Sequence, residues 1–156
     1  MQTFYSLFLF LHSWNRWLIL LSGLLLIILL ISYLLSNKAY NSVIKANVIT
    51  YLSSLHLQLI IGLILYFVLS PFTQLALNDF GAAMKNPDLR YWAVEHSFLT
   101  LIGIVLAQTG YSKSKKKPDD KSKLKSMLIW NSIAFFIILL AVPIGLMGVE
   151  RPWFRF

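Results

Sequence analysis

The stretch WLILLSGLLLIILLISYLL, residues 17–35, decides the fold of this chain. It is nineteen residues long and contains no charged side chain. An α-helix needs about 20 such residues to cross the roughly 30 Å hydrocarbon core of a bilayer. The stretch therefore predicts a transmembrane helix, and because residues 4–11 are largely apolar as well, we expect the helix to begin before Trp17.

Three further segments are apolar and long enough to cross a membrane. The second segment, VITYLSSLHLQLIIGLILYFVL, stops before Pro71, and proline ends a helix. The third contains the adjacent ionisable residues Glu95 and His96, and the fourth contains Pro143. We predict one domain, 1–156, that is an all-α integral membrane antiparallel four-helix bundle. Its predicted spans are residues 4–35, 42–69, 89–112 and 123–147.

The composition agrees with a membrane protein and excludes several other classes. Of the 156 residues, 58% are hydrophobic and 13% are charged, against roughly 45–50% and about 25% in soluble domains. Cysteine is absent, which excludes disulfides, thiolate metal sites and a cysteine nucleophile. The sequence before Trp17 has no cationic region and no small-residue cleavage site, so we expect the first helix to be retained rather than removed as a signal peptide.

The lysines predict the orientation. The connector YSKSKKKPDDKSKLK, residues 111–125, carries seven lysines against two aspartates, and the first connector adds Lys38 and Lys45. Lysine-rich loops remain on the cytoplasmic side, so we expect both termini on the outer, periplasmic side of a bacterial inner membrane. The formal charge of +8 then reflects topology and attraction to membrane lipid. No nucleic-acid partner is predicted, because no folded basic domain presents the lysines.

Three histidines in or beside the predicted spans are the main functional candidates, because ionisable groups within a membrane are costly unless they are paired or liganded. At about 1.5 Å per residue from the cytoplasmic helix ends, His56 and His96 lie roughly 16 and 22 Å deep. His12 lies about 34 Å from Leu35 unless its helix tilts. For two imidazoles that ligate one haem iron, His56 with His96 is the preferred pair. The alternative pair is His12 with His96, on diagonal helices.

Two charged residues accompany these histidines. Arg16 is four residues from His12 and shares its helical face. Because a guanidinium binds carboxylates in a bidentate manner, Arg16 is expected to hold haem propionates or an anionic lipid. We expect Glu95 to pair with Arg16 or Arg90, to orient a histidine, or to lie protonated or solvated near the interface.

A polar stripe on the second helix lies on a different face from His56 and predicts an interhelical hydrogen-bond seam. It consists of Asn47, Thr50, Ser54, Gln58, Gly62 and Tyr66.

The motifs LHSWNRW, HLQLIIGLILYF and EHSF, followed by the lysine-rich loop, resemble the small four-helix bacterial inner-membrane proteins described as cytochrome b-like. More distantly, they resemble one half of haem A synthase. The resemblance implies haem b ligation by His56 and His96, and a ligand or propionate role for His12 and Arg16. The predicted fourth helix has no histidine, unlike the half-bundle of haem A synthase, so neither two haems nor oxygenase chemistry is expected.

Two functions follow from these patterns. The leading prediction is a b-type haem-binding membrane cytochrome that passes electrons between quinol and a respiratory partner, or that handles haem. The alternative is a cofactor-free accessory or assembly subunit of a larger membrane complex, with its histidines hydrogen-bonded inside the bundle. No catalytic constellation such as Ser-His-Asp or H-E-x-x-H occurs, so an electron carrier or an accessory subunit is favoured over an enzyme.

Overall fold

The computed structural model describes residues 2–143, 149, 150, 152 and 154, and this part of the chain is helical. Four helical segments in it are long and apolar enough to cross a membrane, which confirms the predicted number of spans. They run Gln2–Leu35, Ser42–Leu69, Pro87–Lys115 and Asp120–Leu140.

The spans are built from helices of different length and type. In chain order these are α1 (Gln2–Leu35), α2 (Ser42–Ile64), a first π-helical turn (Leu65–Leu69), α3 (Pro71–Asn78), α4 (Phe80–Lys85), α5 (Pro87–Arg90), a second π-helical turn (Tyr91–Glu95), α6 (His96–Lys115) and α7 (Asp120–Leu140). Side chains of asparagine, serine or aspartate accept backbone hydrogen bonds at the start of α2, α3, α4, α5 and α7. Such caps satisfy N–H groups that have no partner within the helix.

The four spans pack as two hairpins. Helix α1 packs against α2 and α7, whereas α6 packs mainly against α7 and only lightly against α2. Helices α1 and α6 are therefore diagonally opposite. Close approach of α6 to α7 depends on Gly103, where an added Cβ would lie 2.6 Å from Cγ1 of Ile138 and 3.3 Å from the carbonyl oxygen of Ala134.

The second connector, residues 70–86, contains the short helices α3 and α4. Together with α5, at the start of the third span, they cover one end of the bundle. The two π-helical turns meet beside them, because the Tyr66 hydroxyl donates a hydrogen bond of 2.8 Å to the carbonyl oxygen of Ala93. The Thr73 hydroxyl donates in turn to the carbonyl oxygen of Tyr66 at 2.7 Å.

The fourth helix ends earlier than the sequence predicts. Helix α7 stops at Leu140, with Ala141 as its C-terminal cap. Pro143 has no N–H to donate and its ring crowds the preceding turn, so the helix does not continue through it. The expected extension to residue 147 is therefore not seen at residues 141–143, and residues 144–147 lie outside the described part of the chain.

The opposite end of the bundle holds the two hairpins together through their connectors. The backbone N–H of Tyr40 donates to Asp120 Oδ2 at 3.1 Å. Partial burial raises the pKa of the Tyr40 phenol, and Tyr111 and Asp120 raise it further. In contrast, a hydrogen bond from the backbone N–H of Ser122 lowers the pKa of the Asp119 carboxyl, which caps α7.

Candidate functional site

A cavity of about 410 Å³ lies inside the bundle at the end covered by the short helices. Residues from all four spans and from α3 line it, and most of them are apolar. His12, Arg16 and His96 are among the polar residues in its wall. The volume falls within the range of small-molecule and cofactor sites, which are mostly apolar with a few placed polar groups.

The rings of His12 and His96 lie close together in the wall of this cavity. Their ring centres are 6.2 Å apart, and the ring planes are inclined by 59°. A metal ion bonded to an imidazole nitrogen at about 2.0–2.1 Å lies about 3 Å from that ring's centre, so two rings on opposite sides of it stand about 6 Å apart. The observed separation therefore fits two imidazoles that ligate one metal ion between them.

His96 is held in one tautomer by the end of α7. Its Nδ1 lies 2.8 Å from the carbonyl oxygen of Ala141. A carbonyl oxygen can only accept, so Nδ1 carries the proton and Nε2 keeps its lone pair for a ligand. The carbonyl is available to His96 because α7 ends at Leu140 and makes no further helical turn there.

The second π-helical turn brings another donor to the same oxygen. The Tyr91 hydroxyl donates to the carbonyl oxygen of Ala141 at 2.8 Å, and the Tyr91 ring lies 5.8 Å from the His96 ring. The extra residue in a π-helical turn changes which side chains share a face, and such turns are frequent at functional sites. Trp92 also packs against the imidazole, with ring centres 5.4 Å apart.

His12 is positioned by the second helix through its backbone. Gln58 Nε2 donates to the carbonyl oxygen of His12 at 3.0 Å. Asn15 Nδ2 donates to Gln58 Oε1 at 2.7 Å and to the carbonyl oxygen of Ser54 at 2.8 Å. The expected polar seam thus exists at the Gln58 side chain, whereas the Ser54 hydroxyl donates within α2 to the carbonyl oxygens of Thr50 and Tyr51. His12 Nδ1 is buried and has no hydrogen-bond partner among the described residues, so it remains available to a ligand.

The structure does not bring together the preferred histidine pair of the sequence prediction. His56 is exposed on the outer surface of α2 and is not among the residues that line the cavity in the described part of the chain. Side chains two positions apart in a helix point in directions that differ by about 200°. His56 therefore points away from the bundle when Gln58 points inward. The depth below the cytoplasmic helix ends suggested His56. The polar stripe lies on a different face of α2 from His56, and this was the signal in the sequence against His56 as a ligand.

Arg16 lines the cavity one turn from His12, as expected. Glu95 pairs with Arg90, whose Nε lies 2.7 Å from Glu95 Oε1. Of the partners considered for Glu95, the structure therefore shows Arg90. The Arg16 guanidinium carries a positive charge in the wall of the cavity, where it can bind a carboxylate of a ligand.

The side chains that could coordinate a metal ion restrict which ligand the cavity can hold. Among the described residues, no cluster of three or more His, Cys, Asp or Glu side chains could hold a metal ion. Two imidazoles alone leave most coordination positions of a metal ion unfilled, so the site fits a metal that arrives with further ligands. A haem iron already has four porphyrin nitrogens and needs two axial ligands.

Comparison of the chain with known protein families, with characterised proteins and with solved structures gives no match.

Proposed function

We propose that this chain is a membrane cytochrome that holds one haem b between His12 and His96. The observation that carries the proposal is the 6.2 Å separation of the two ring centres inside a largely apolar cavity. The resemblance of its motifs to cytochrome b-like proteins supports the same cofactor. When bound, haem would supply one-electron transfer, and the electrons would pass between quinol and a respiratory partner.

The protein's own residues have distinct tasks in this proposal. His12 and His96 provide the two axial nitrogens, and the Ala141 carbonyl keeps the His96 lone pair available. Gln58 fixes the backbone of His12. Arg16 offers a cation to the propionates, and charge-assisted hydrogen bonds of this kind contribute about 1.5–3 kcal/mol each.

Alanine substitutions at the three histidines test the proposal. The protein is purified from haem-replete cells and its absorbance is recorded before and after reduction with dithionite. We expect His12→Ala and His96→Ala to lose the low-spin haem spectrum, because each removes one axial ligand. Arg16→Gln should keep the spectrum but lose haem more readily during purification.

His56→Ala is the matched control, because His56 is exposed on the outer surface of α2. It should retain haem like the wild-type protein, and thermal unfolding in detergent checks that all variants are folded. If His56→Ala loses haem and His12→Ala retains it, the ligand pair is His56 with His96 instead. A colourless wild-type protein would contradict the proposal and favour a cofactor-free accessory or assembly subunit.

We also propose a location and a set of partners. The lysine-rich loop, residues 111–125, lies on the cytoplasmic side of a bacterial inner membrane, with both termini on the outer side, because lysines are retained there. The cavity then lies toward the outer half of the bilayer. Lipids surround the apolar outer faces of the helices, and a larger respiratory complex is a candidate electron partner.

A further inference from the structure

Some residues that line the cavity on α2 and on α6 are exposed at the outer surface of the protein. Most of its lining residues are buried or half-buried, but Leu63 is 46% exposed and Leu101 is 47% exposed. Leu63 belongs to α2 and Leu101 to α6. Phe67, in the first π-helical turn, and Pro152, after α7, also line the cavity and are exposed. One set of side chains is therefore shared by the cavity wall and the outer surface.

This part of the surface lies where the bundle is least tightly packed. Helices α2 and α6 make fewer contacts with each other than α1 makes with α2 or α7, or α6 with α7. We call the part of the surface formed by α2 and α6 that carries Leu63 and Leu101 the α2–α6 seam. The more extensive α1–α2 and α6–α7 packing lies elsewhere in the bundle.

The seam lies within the membrane rather than at the water boundary. Leu101 is the middle residue of the span Pro87–Lys115. Leu63 is six residues before the end of the span Ser42–Leu69, about 9 Å from that end. At the end of the bundle itself, α3 and the hydrogen bond between Tyr66 and Ala93 cover the cavity. The hydrocarbon core of the bilayer is therefore the solvent that meets the seam.

From this geometry we infer that haem enters and leaves the site laterally, from the bilayer through the α2–α6 seam. The inference rests on the proposed haem site and adds the route and the source of the cofactor. Haem suits such a route because its flat ring is apolar and dissolves in a bilayer, whereas its two propionates are anionic. The ring passes between apolar side chains, and the propionates find the cation of Arg16 in the cavity wall.

Haem transfer between vesicles measures the route. Apoprotein reconstituted in liposomes is mixed with donor liposomes that carry haem, and the rise of the low-spin spectrum is followed in time. The seam variant combines Leu63→Trp with Leu101→Trp, which places two larger rings at the seam. The control combines Leu24→Trp with Ile129→Trp, at residues that are 48% and 59% exposed but are outside the described cavity lining.

We expect the seam variant to take up haem at least tenfold more slowly than the control, with the same final occupancy. Equal uptake rates would overturn the lateral route, and so would a reduced occupancy at an unchanged rate, because the tryptophans would then disturb the site and not the path. If the wild-type protein and all variants fail to take up haem, the proposed function itself fails. The two failures are thus distinguishable.

A second measurement needs no haem. The chain has no cysteine, so Leu63→Cys and Leu101→Cys each accept a single nitroxide spin label. In the reconstituted apoprotein, dissolved oxygen should relax both labels more strongly than a water-soluble nickel complex does. A label at Lys117→Cys, in the exposed connector, is the control and should show the opposite preference. Stronger relaxation by the nickel complex at the seam would overturn the lateral route.

Discussion

Tyr91 and His96 both donate to one acceptor, the carbonyl oxygen of Ala141, and each bond is 2.8 Å long. An oxygen that already accepts from a hydroxyl attracts the imidazole N–H less strongly. Hydrogen bonding at the second nitrogen of a ligating histidine controls how basic the ligand is. At the scale of single residues, Tyr91 would therefore be a positioning residue that moderates the basicity of His96 in the proposed haem site.

Replacing Tyr91 tests this role. In Tyr91→Phe the Ala141 oxygen accepts from His96 alone, so the imidazole becomes a stronger donor and favours the ferric over the ferrous haem. If that preference changes about tenfold, the midpoint potential falls by about 59 mV. The measurement is a redox titration of the haem spectrum.

The control for this titration is Tyr66→Phe. Tyr66 donates to the carbonyl oxygen of Ala93 near the same end of the bundle and has no hydrogen bond to His96. Its loss should leave the potential unchanged. A potential that rises or stays constant in Tyr91→Phe would contradict the role assigned to Tyr91.

The histidines show how far sequence reasoning reaches at a single residue. The free-energy cost of placing an ionisable side chain within a membrane identified all three histidines as candidates. Helical periodicity placed Arg16 beside His12. Depth favoured His56 over His12, but depth does not show in which direction a side chain points, and His56 lies on the exposed face of α2. The contributions of Tyr91 and Ala141 had no signal in the sequence, since they depend on a π-helical turn and on the exact end of α7.

At the scale of helices, Gly103 controls how closely α6 approaches α7. An alanine Cβ there would lie 2.6 Å from Ile138 Cγ1, so the Ile138 side chain or one of the helices has to move. Overpacking of this kind costs about 1–3 kcal/mol. We expect Gly103→Ala to unfold at a lower temperature than the wild-type protein in detergent, as followed by circular dichroism.

Gly62→Ala is the comparison for this prediction. Its added Cβ would lie 3.5 Å from His12 Cε1, which is an ordinary contact, and alanine favours helix over glycine by about 0.5–1 kcal/mol. Its stability should equal or exceed that of the wild-type protein. If Gly103→Ala and Gly62→Ala are equally stable, the added Cβ at Gly103 is accommodated between α6 and α7 without loss of folding free energy, and the prediction is wrong.

The positions of the helices were largely accessible from the sequence, because charged residues are excluded from the hydrocarbon core and so mark the ends of the spans. The two π-helical turns and the short helices of the second connector could not be predicted from the sequence. Hydrogen bonds from Tyr66 and Thr73 to distant or neighbouring carbonyls stabilise that region, and periodicity does not reveal such contacts.

At the scale of the whole molecule, the proposed orientation is open to a direct test. Lys85 and Lys117 are both exposed, and they lie in the second and third connectors. In intact cells, a membrane-impermeant maleimide should label Lys85→Cys and leave Lys117→Cys unlabelled. After the cells are opened, both should react.

The absence of native cysteine removes background labelling from this experiment. The reaction in opened cells also shows that both positions are accessible. Labelling of Lys117→Cys in intact cells, with Lys85→Cys protected, would mean that the lysine-rich loop lies outside and that the orientation is the reverse of the one proposed.

The division of the bundle into two hairpins has a consequence for its biogenesis. Each hairpin joins helices that are close in sequence, and such local contacts form quickly during folding. His12 belongs to the first hairpin and His96 to the second, so the histidine pair exists only after the hairpins have met. A ligand bound by both histidines then stabilises the assembled form by mass action. If the proposed haem is that ligand, a newly synthesised chain without haem is the form that membrane proteases dismantle most readily.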